Sequence, residues 1–502
     1  MPDTSSEGAR ESSASALTVN LTAAPASPAP PAPEEEPPVI TRHEIMVDGR
    51  TLAYTVTTGL MPIKDQEGVV EASIFYMAYT KDDAGPAGER PLMFSFNGGP
   101  GSSSVWLHMG TLGPKRVAML DDGNLPPPPY RLVDNEQTWL TEADIVFIDP
   151  VGTGFSRAAK PELGKKFFGL KGDIESVGEF IRLYLTRHER WASPLFLVGE
   201  SYGTTRAAGL AGHLIEKGVA FNGILLVSTV LNFQTLHFAV GNDLPYVLIL
   251  PSYTATAWYH NRLAPDLQAD LRKTLAEAER WAITEYNVAL ARGDALPKED
   301  RARIVTQLAR FTGLSEEYVD AHNLRIEIFR FCKELLKSEK RTVGRLDSRI
   351  RGIDINAAHP EPEFDPSMTT IRPPYTALFN DYVRRELGWK TDTEYYILGG
   401  GFEKWEWDLE EFGFPDTGDA LRAAFAKNPY MKLFAAYGFY DLATPYFATM
   451  YTLDHIGLEP SLRANISTAE YESGHMMYIH RPSLEKMKHD AAAFIRSASR
   501  HE

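Results

Sequence analysis

The sequence has little cysteine and no long apolar run. Cys332 is the single cysteine among 502 residues, which excludes an intrachain disulfide and a zinc site built from cysteines. It lies in a stretch with helical spacing, without the glycine-rich surroundings of a thiol nucleophile, and we predict a buried structural thiol. No apolar run reaches the ~18 residues of a membrane-spanning helix, so no membrane partner is expected.

Positive charge is also scarce. Lys and Arg number 51 against 67 Asp and Glu, which gives a formal net charge of -16 at pH 7. Phosphate binding needs a basic surface that this composition does not supply, so no nucleic-acid partner is expected. The composition leaves the oligomeric state unknown.

The first 40 residues lack the features of a folded segment and of a secretory signal. They are rich in Ser, Ala, Pro and Glu, a composition that buries too little apolar surface to order itself. A signal peptide needs a basic start and a sustained apolar stretch, and neither is present. We predict a disordered arm over residues 1–40 and a cytoplasmic location by default, with export left open.

Short apolar runs predict the strands of a sheet. The runs at residues 91–96, 145–148, 195–198 and 223–227 are each followed by glycines or a helical stretch, as is typical of strands buried on both faces of a parallel sheet. Helical spacing between them, as at residues 173–184, predicts a mostly parallel, doubly wound α/β sheet. Alternating segments nearer the start predict an antiparallel edge.

The pattern changes after residue 235. Residues 266–292 and 301–336 predict charged amphipathic helices without strands between them, as in an inserted helical cap. Strand character returns at residues 431–437, whereas residues 360–413 give no clear pattern. The predicted organisation is a first part of the core over residues 41–235, a helical cap over 236–370 and a second part of the core over 371–502.

Ser201 lies in a setting that predicts a nucleophile. An apolar strand, the motif Gly199-Glu200-Ser201-Tyr202-Gly203 and a helix of small residues follow in that order. A Ser at such a tight strand-to-helix turn projects above the sheet, and the flanking glycines allow other parts of the chain to approach. Because a helix start favours negative charge, the amide of Tyr202 can receive a developing oxyanion.

A serine hydroxyl needs a base and an orienting acid to become a nucleophile. In α/β-hydrolases the acid and then the histidine follow the serine along the chain. His475 lies in a loop before the final predicted helix, and Asp441 follows a predicted strand at the sheet edge where such sites form. His213, His455 and Asp454 fall on predicted helices and are expected to be structural or surface residues. The predicted catalytic triad is Ser201, Asp441 and His475.

Four motifs follow one another through the predicted core. They are Asn97-Gly98-Gly99-Pro100-Gly101-Ser102-Ser103, Asp149-Pro150-Val151-Gly152-Thr153-Gly154-Phe155-Ser156, Gly199-Glu200-Ser201-Tyr202-Gly203 and Gly474-His475-Met476. Together they resemble the serine carboxypeptidase family over most of residues 90–235 and 430–482. The resemblance implies an α/β-hydrolase fold, release of C-terminal amino acids from a peptide substrate through an acyl-enzyme intermediate, and no metal or cofactor.

The resemblance also implies roles for residues near the nucleophile. The amides of Gly99 and Tyr202 would form the oxyanion hole, while Asn97, Glu200 and the amide of Gly98 would bind the free carboxylate of the peptide. A glutamate hydrogen-bonds a carboxylate only when one of the two acids holds a proton, so bound substrate should raise the pKa of Glu200. Peptidase activity should then decline as the pH rises towards and above neutrality.

Three positions depart from the family's pattern. Thr111 stands where many members have a second glutamate, which predicts a thinner carboxylate-binding network. Ser102 stands where secreted members usually have a disulfide-forming Cys, and no Gln separates Asp149 from Pro150. Two alternatives therefore stay open: an esterase or acyltransferase with the same triad, and a catalytically silent binding protein on the same fold.

Overall fold

The computed structural model describes residues 36–402, 404–407 and 413–499. Residues 1–35 of the predicted N-terminal arm lie outside the described residues, and the first strand begins at Val39. The predicted domain boundaries at residues 235 and 370 stay predictions.

Strands and helices alternate through much of the chain. The strands are β1 (Val39–Val47), β2 (Arg50–Lys64), β3 (Val70–Lys81), β4 (Leu92–Phe96), β5 (Lys115–Val117), β6 (Leu132–Asp134), β7 (Asp144–Ile148), β8 (Arg157–Ala158), β9 (Leu195–Ser201), β10 (Gly223–Thr229), β11 (Arg341–Val343), β12 (Arg351–Ile353), β13 (Lys432–Gly438) and β14 (Ile466–Tyr471). The helices are α1 (Val105–Leu107), α2 (Leu170–Arg187), α3 (Tyr202–Ile215), α4 (Leu244–Tyr259), α5 (Pro265–Gln268), α6 (Leu271–Trp281), α7 (Asn287–Arg292), α8 (Lys298–Thr312), α9 (Glu316–Ala321), α10 (Ile328–Glu334), α11 (Pro366–Arg385), α12 (Gly418–Lys427), α13 (Tyr446–His455) and α14 (Arg481–Ser499).

The main sheet has the strand order β1-β2-β3-β7-β4-β9-β10-β13-β14, with β8 paired to β3. The first three strands pair antiparallel, and β7 is antiparallel to β3. From β7 to β14 every neighbouring pair is parallel. The predicted α/β-hydrolase fold, with its mostly parallel sheet and antiparallel edge, is confirmed.

Helices cover both faces of the parallel strands. Leu197 of β9 packs in one apolar cluster with Phe180 of α2 and Leu210 of α3. Its neighbour Phe196 belongs to the opposite cluster, which contains Phe494 of α14. Because successive residues of a strand point to opposite faces, strands covered on both sides consist almost entirely of apolar residues, and this made them recognisable in the sequence.

Helices α4 to α10 lie in the predicted insertion and have an apolar cluster of their own, which includes Trp281 and Phe331. Cys332 on α10 is buried in this cluster, as predicted, and burial raises the pKa of its thiol. No helix in the described part of the chain is long and apolar enough to cross a membrane.

Helix α11 lies within the region that gave no clear sequence pattern. It contains Pro373 and Pro374 in its interior, and each proline removes a helical hydrogen bond and normally breaks a helix. Tyr375, Phe379 and Tyr382 are buried in the core, and their packing stabilises a helix that its local sequence disfavours.

Candidate active site

Ser201 lies at the sharp turn between β9 and α3. Its backbone angles are φ 60° and ψ -131°, and a positive φ at a residue other than glycine costs about 1–3 kcal/mol. The Thr204 hydroxyl donates a hydrogen bond of 2.7 Å to the Ser201 carbonyl and thereby stabilises the turn. This conformation is the one expected of a serine nucleophile at the carboxyl edge of an α/β-hydrolase sheet.

The loop after β4 lies directly against the start of α3. A Cβ atom on Gly98 would lie 2.4 Å from the backbone nitrogen of Tyr202, so only glycine allows this approach. Gly99 follows with a φ of 103°. The two predicted oxyanion donors, the amides of Gly99 and Tyr202, are therefore brought close together, and their role stays a prediction.

Asp441 and His475 form a buried pair at the ends of β13 and β14. His475 Nδ1 lies 2.7 Å from Asp441 Oδ2. The amides of Ala443 and Thr444 donate to Asp441 Oδ1 at 2.7 and 3.0 Å, and the Thr444 hydroxyl donates to Oδ2 at 2.7 Å. With Asp441 as acceptor the imidazole carries its proton on Nδ1, which leaves Nε2 to act as a base.

The pKa of His475 reflects two opposing influences. Burial lowers the pKa, but the charge and hydrogen bond of Asp441 outweigh burial, and the pKa is raised above its usual value. An imidazole with a raised pKa takes a proton from a hydroxyl more readily than a free one.

Glu200 lies in the same site and is 3% exposed. Asn97 Nδ2 donates to Glu200 Oε1 at 2.8 Å, and Asn97 Oδ1 accepts a hydrogen bond from the Leu107 amide, which fixes the orientation of the side-chain amide. Burial raises the pKa of Glu200 to about 7 even without substrate. The residues predicted to bind a substrate carboxylate are thus together, around an acid that exchanges its proton near neutrality.

Tyr478 is a site residue that the sequence analysis missed. Its hydroxyl donates to Glu200 Oε2 at 2.7 Å. Thr111, in contrast, is buried and its hydroxyl has no hydrogen-bond partner in the described part of the chain. Tyr478 therefore gives Glu200 a second side-chain partner besides Asn97, and the thinner carboxylate-binding network stays a prediction. The available signal was its position three residues after His475, in the turn Met477–Ile479.

A second unpredicted feature is the bracing loop, residues 344–350. Its Arg345 carbonyl accepts a hydrogen bond of 3.0 Å from the Leu442 amide beside Asp441, and its Leu346 carbonyl accepts one of 2.6 Å from the His475 amide. A Cβ atom on Gly474 would lie 2.4 Å from the Leu346 oxygen, so the glycine before His475 is required by this contact. One loop therefore holds the loop that carries Asp441 and the loop that carries His475, the two triad loops, in position relative to each other.

A cavity of about 90 Å³ joins these groups. Its walls include Ser201, His475, Glu200, Asn97, Gly98 and Gly99.

The histidines and the aspartate that were not assigned to the triad lie elsewhere: His213 is on α3, His455 ends α13, and Asp454 pairs with Arg463 at the surface. Among the described residues no group of three or more His, Cys, Asp or Glu side chains could hold a metal ion, and the expectation of a cofactor-free reaction stays a prediction.

Comparisons with known proteins agree on one family. The family model described as serine carboxypeptidase matches residues 48–394. Serine carboxypeptidase-like 5 of Arabidopsis thaliana is 30% identical over 155 residues, which are 30% of this chain and 33% of that protein. Serine carboxypeptidase-like 12 of the same plant is 26% identical over 205 residues, or 40% of this chain and 43% of that protein. The matches thus span about a third to two fifths of these relatives' length.

A solved structure has the same fold. Kex1(delta)p, a prohormone-processing carboxypeptidase from Saccharomyces cerevisiae, superposes with a TM-score of 0.52 over 88% of this chain and 91% of that chain, at 16% sequence identity. At this identity the similarity establishes the fold alone.

The comparisons contradict the expected cytoplasmic location. Serine carboxypeptidases such as Kex1 and the plant serine carboxypeptidase-like proteins are secreted, vacuolar or Golgi enzymes. The expectation was wrong because it rested only on the polar, acidic composition of the first residues, and those residues lie outside the described part of the chain.

Proposed function

The chain belongs to the serine carboxypeptidase family, and we propose that it releases C-terminal amino acids from peptides through an acyl-enzyme intermediate. The observation that carries the proposal is the buried Glu200, hydrogen-bonded to Asn97 and with a pKa raised to about 7 by burial. It lies on the same cavity as Ser201 and His475.

In the first half of the proposed reaction, Ser201 Oγ attacks the carbonyl carbon of the last peptide bond while its proton passes to His475 Nε2. Asp441 holds the Nδ1–H tautomer and stabilises the imidazolium that forms. The C–N bond then breaks, and His475 returns the proton to the leaving amine. The product of this half is an ester between Ser201 and the shortened peptide.

In the second half, water takes the place of the amine. His475 removes a proton from the water as its oxygen attacks the ester carbon, and the bond to Ser201 Oγ breaks with return of the proton to the serine. In both halves the negative oxygen of the tetrahedral intermediate lies between the amides of Gly99 and Tyr202. Two such donors contribute several kcal/mol, since loss of one typically costs about 100-fold or more in kcat.

Recognition of the free C-terminus is the step that makes the enzyme an exopeptidase. Asn97 Nδ2 and the amide of Gly98 donate to the substrate carboxylate, and a protonated Glu200 donates a third hydrogen bond. An ionised Glu200 would instead repel the carboxylate. A pKa near 7 thus allows the proton to be present at acidic and neutral pH.

The same buried acid favours a peptidase over an esterase. A simple ester or a peptide amide has no carboxylate for Glu200 and Asn97 to bind. The polar atoms of these two side chains would be buried against such a substrate without hydrogen bonds, which is unfavourable. The alternative of an esterase or acyltransferase uses the triad equally well but leaves this cluster without a role. The alternative of a silent binding protein gives no role to the strained backbone conformation of Ser201.

Hydrolysis of a blocked dipeptide, of its C-terminal amide and of a blocked amino-acid methyl ester tests the proposal. We expect kcat/KM for the free acid to exceed that for the amide by at least about tenfold, with all hydrolysis lost in Ser201→Ala. Cleavage of the ester without cleavage of the free dipeptide would reject the carboxypeptidase in favour of the first alternative.

Labelling by a fluorophosphonate probe separates an enzyme from a silent protein. The wild type and Ser338→Ala, which changes an exposed serine, should be labelled, and Ser201→Ala should not. Equal labelling of all three, or labelling of none, contradicts the assignment of the nucleophile.

A further inference from the structure

The active-site cavity contains a cation that the proposed reaction does not use. Arg345, in the bracing loop, lines the cavity together with Ser201 and Glu200. It also lines an adjoining cavity of about 320 Å³ beside Cys332. Throughout the described residues its guanidinium forms no ion pair with a carboxylate. A partly buried arginine without such a partner is available to bind an anionic group.

The backbone of Arg345 is held in place. Its amide donates to Asp365 Oδ1 at 3.1 Å, and its carbonyl accepts from the Leu442 amide at 3.0 Å. The side chain extends between the two cavities, and its positive charge opposes, without outweighing, the causes that raise the pKa of His475 at one cavity and of Cys332 at the other. The side chain therefore starts from a fixed backbone position at the wall of the cavity.

The chemistry of the leaving residue decides what meets this cation. In a C-terminal amino acid the α-carboxylate and the side chain are attached to the same Cα. When Asn97 and Glu200 bind the carboxylate, the side chain must enter the rest of the same cavity. That part has apolar walls and one charge: Trp106, Met368, Ile371, Met476 and Arg345.

We propose that Arg345 makes the enzyme selective for peptides that end in Glu or Asp, by binding the side-chain carboxylate of the leaving residue. The proposal rests on the carboxypeptidase function proposed above. The apolar walls contact the methylene stem, and the planar guanidinium forms two parallel hydrogen bonds with the carboxylate. A C-terminal Lys or Arg meets a like charge in the same place and is a poor substrate.

The test compares blocked dipeptides that differ only at the last residue, with Glu, Gln, Leu or Lys after the same penultimate residue. Glu and Gln have nearly the same shape, so their kcat/KM ratio isolates the charge. For the wild type we expect a Glu/Gln ratio of at least about tenfold, because hydrogen bonds between charged groups are about twice as strong as neutral ones. Arg345→Met should reduce the ratio to about one, and Arg345→Lys should retain part of it.

Arg351→Met is the matched control. Arg351 is exposed, on β12 and away from the cavity, where it pairs with Glu339, and the variant should keep the wild-type ratio. The wild-type ratio itself tests the proposal on a fully folded protein, whatever the stability of the variants.

The outcomes separate this proposal from the general function. If Leu and Gln dipeptides are cleaved and the Glu/Gln ratio is near one, or is unchanged by Arg345→Met, the proposed selectivity is rejected and the proposed carboxypeptidase function is retained. If none of the dipeptides is cleaved while a methyl ester is, both proposals fall.

Discussion

The hydroxyl of Tyr478 donates a hydrogen bond of 2.7 Å to Oε2 of Glu200, and both side chains are buried. Asn97 donates to the other carboxylate oxygen. Burial raises the pKa of Glu200 to about 7. The hydrogen bonds from Tyr478 and Asn97 limit this rise, because they favour the ionised form. The protonated and ionised forms of Glu200 are therefore present in similar amounts at neutral pH, and the loss of one hydrogen bond should shift the pKa.

Glu200→Gln should remove the alkaline decline of peptidase activity. In the proposed reaction only protonated Glu200 donates to the substrate carboxylate, so kcat/KM of the wild type for a blocked dipeptide should fall about tenfold per pH unit above pH 7. A glutamine amide donates at every pH, and the Tyr478 hydroxyl can turn from donor to acceptor to satisfy it. The measurement is kcat/KM from pH 5 to 9 for both proteins.

A methyl ester is the control substrate for this variant. It has no carboxylate, so its hydrolysis by the wild type should continue above pH 7 without the decline. Both proteins should still lose activity at low pH, as His475, whose pKa is raised, takes up a proton. A decline that persists in Glu200→Gln would assign it to a group other than Glu200.

Tyr478→Phe should move the alkaline decline to higher pH. The variant removes a hydrogen bond that stabilises the ionised form of Glu200, so the pKa of Glu200 should rise further, by roughly one unit, given that hydrogen bonds to charged groups contribute about 1.5–3 kcal/mol. The pH profile of kcat/KM for a blocked dipeptide measures the shift. Tyr430→Phe, at an exposed tyrosine, should leave the profile unchanged, and a downward shift in Tyr478→Phe would contradict the argument.

The features that could be predicted from the sequence are those with local signatures. The strand before Ser201 is a run of apolar residues because helices cover both its faces, and the glycines around Ser201 reflect close backbone contacts. Helix α11 could not be predicted, because Pro373 and Pro374 locally disfavour a helix and the aromatic packing that stabilises it involves residues far along the chain.

The residues that were missed depend on contacts between distant parts of the chain. The bracing loop contacts Leu442 and His475, roughly a hundred residues further on, and its own sequence is polar and without a recognisable motif. The partnership of Tyr478 with Glu200 joins residues 278 positions apart. Such a pair becomes visible only when the fold brings the two side chains together.

Thr444→Val should weaken catalysis without removing it. The variant loses the hydroxyl that donates to Asp441 Oδ2 at 2.7 Å, while the amides of Ala443 and Thr444 still hold Oδ1. One lost hydrogen bond to a charged acceptor costs about 1.5–3 kcal/mol, which here is divided between stability and the orientation of His475. We expect kcat to fall about three- to tenfold, as measured by single-turnover hydrolysis of a blocked dipeptide.

Thr444→Ser tests whether the hydroxyl is the cause, since it restores the donor and removes only a methyl group. Its kcat should return to within about twofold of the wild type. Equal losses in the two variants would indicate that the packing of the methyl group, rather than the hydrogen bond to Asp441, positions the triad.

Asp347→Asn should loosen the bracing loop and both triad loops with it. Asp347 forms a buried ion pair with Arg349 at 2.6 Å and accepts a hydrogen bond from the Gly474 amide next to His475. The variant leaves the Arg349 charge buried without its partner, which typically costs about 3–5 kcal/mol of unfolding free energy. Because the contact reaches the His475 loop, kcat should also fall, by about tenfold or more.

Asp354→Asn separates the positional effect from the loss of stability. Lys333 and Asp354 also form a buried ion pair, with both side chains 1% exposed, and Lys333 donates its other hydrogen bond to the Asn356 carbonyl rather than to a triad loop. Urea unfolding should show similar losses of stability in the two variants, whereas kcat, measured well below the unfolding transition, should fall only in Asp347→Asn. An equal loss of kcat in both would mean that general destabilisation slows the enzyme and that the bracing loop has no specific part in positioning Asp441 and His475.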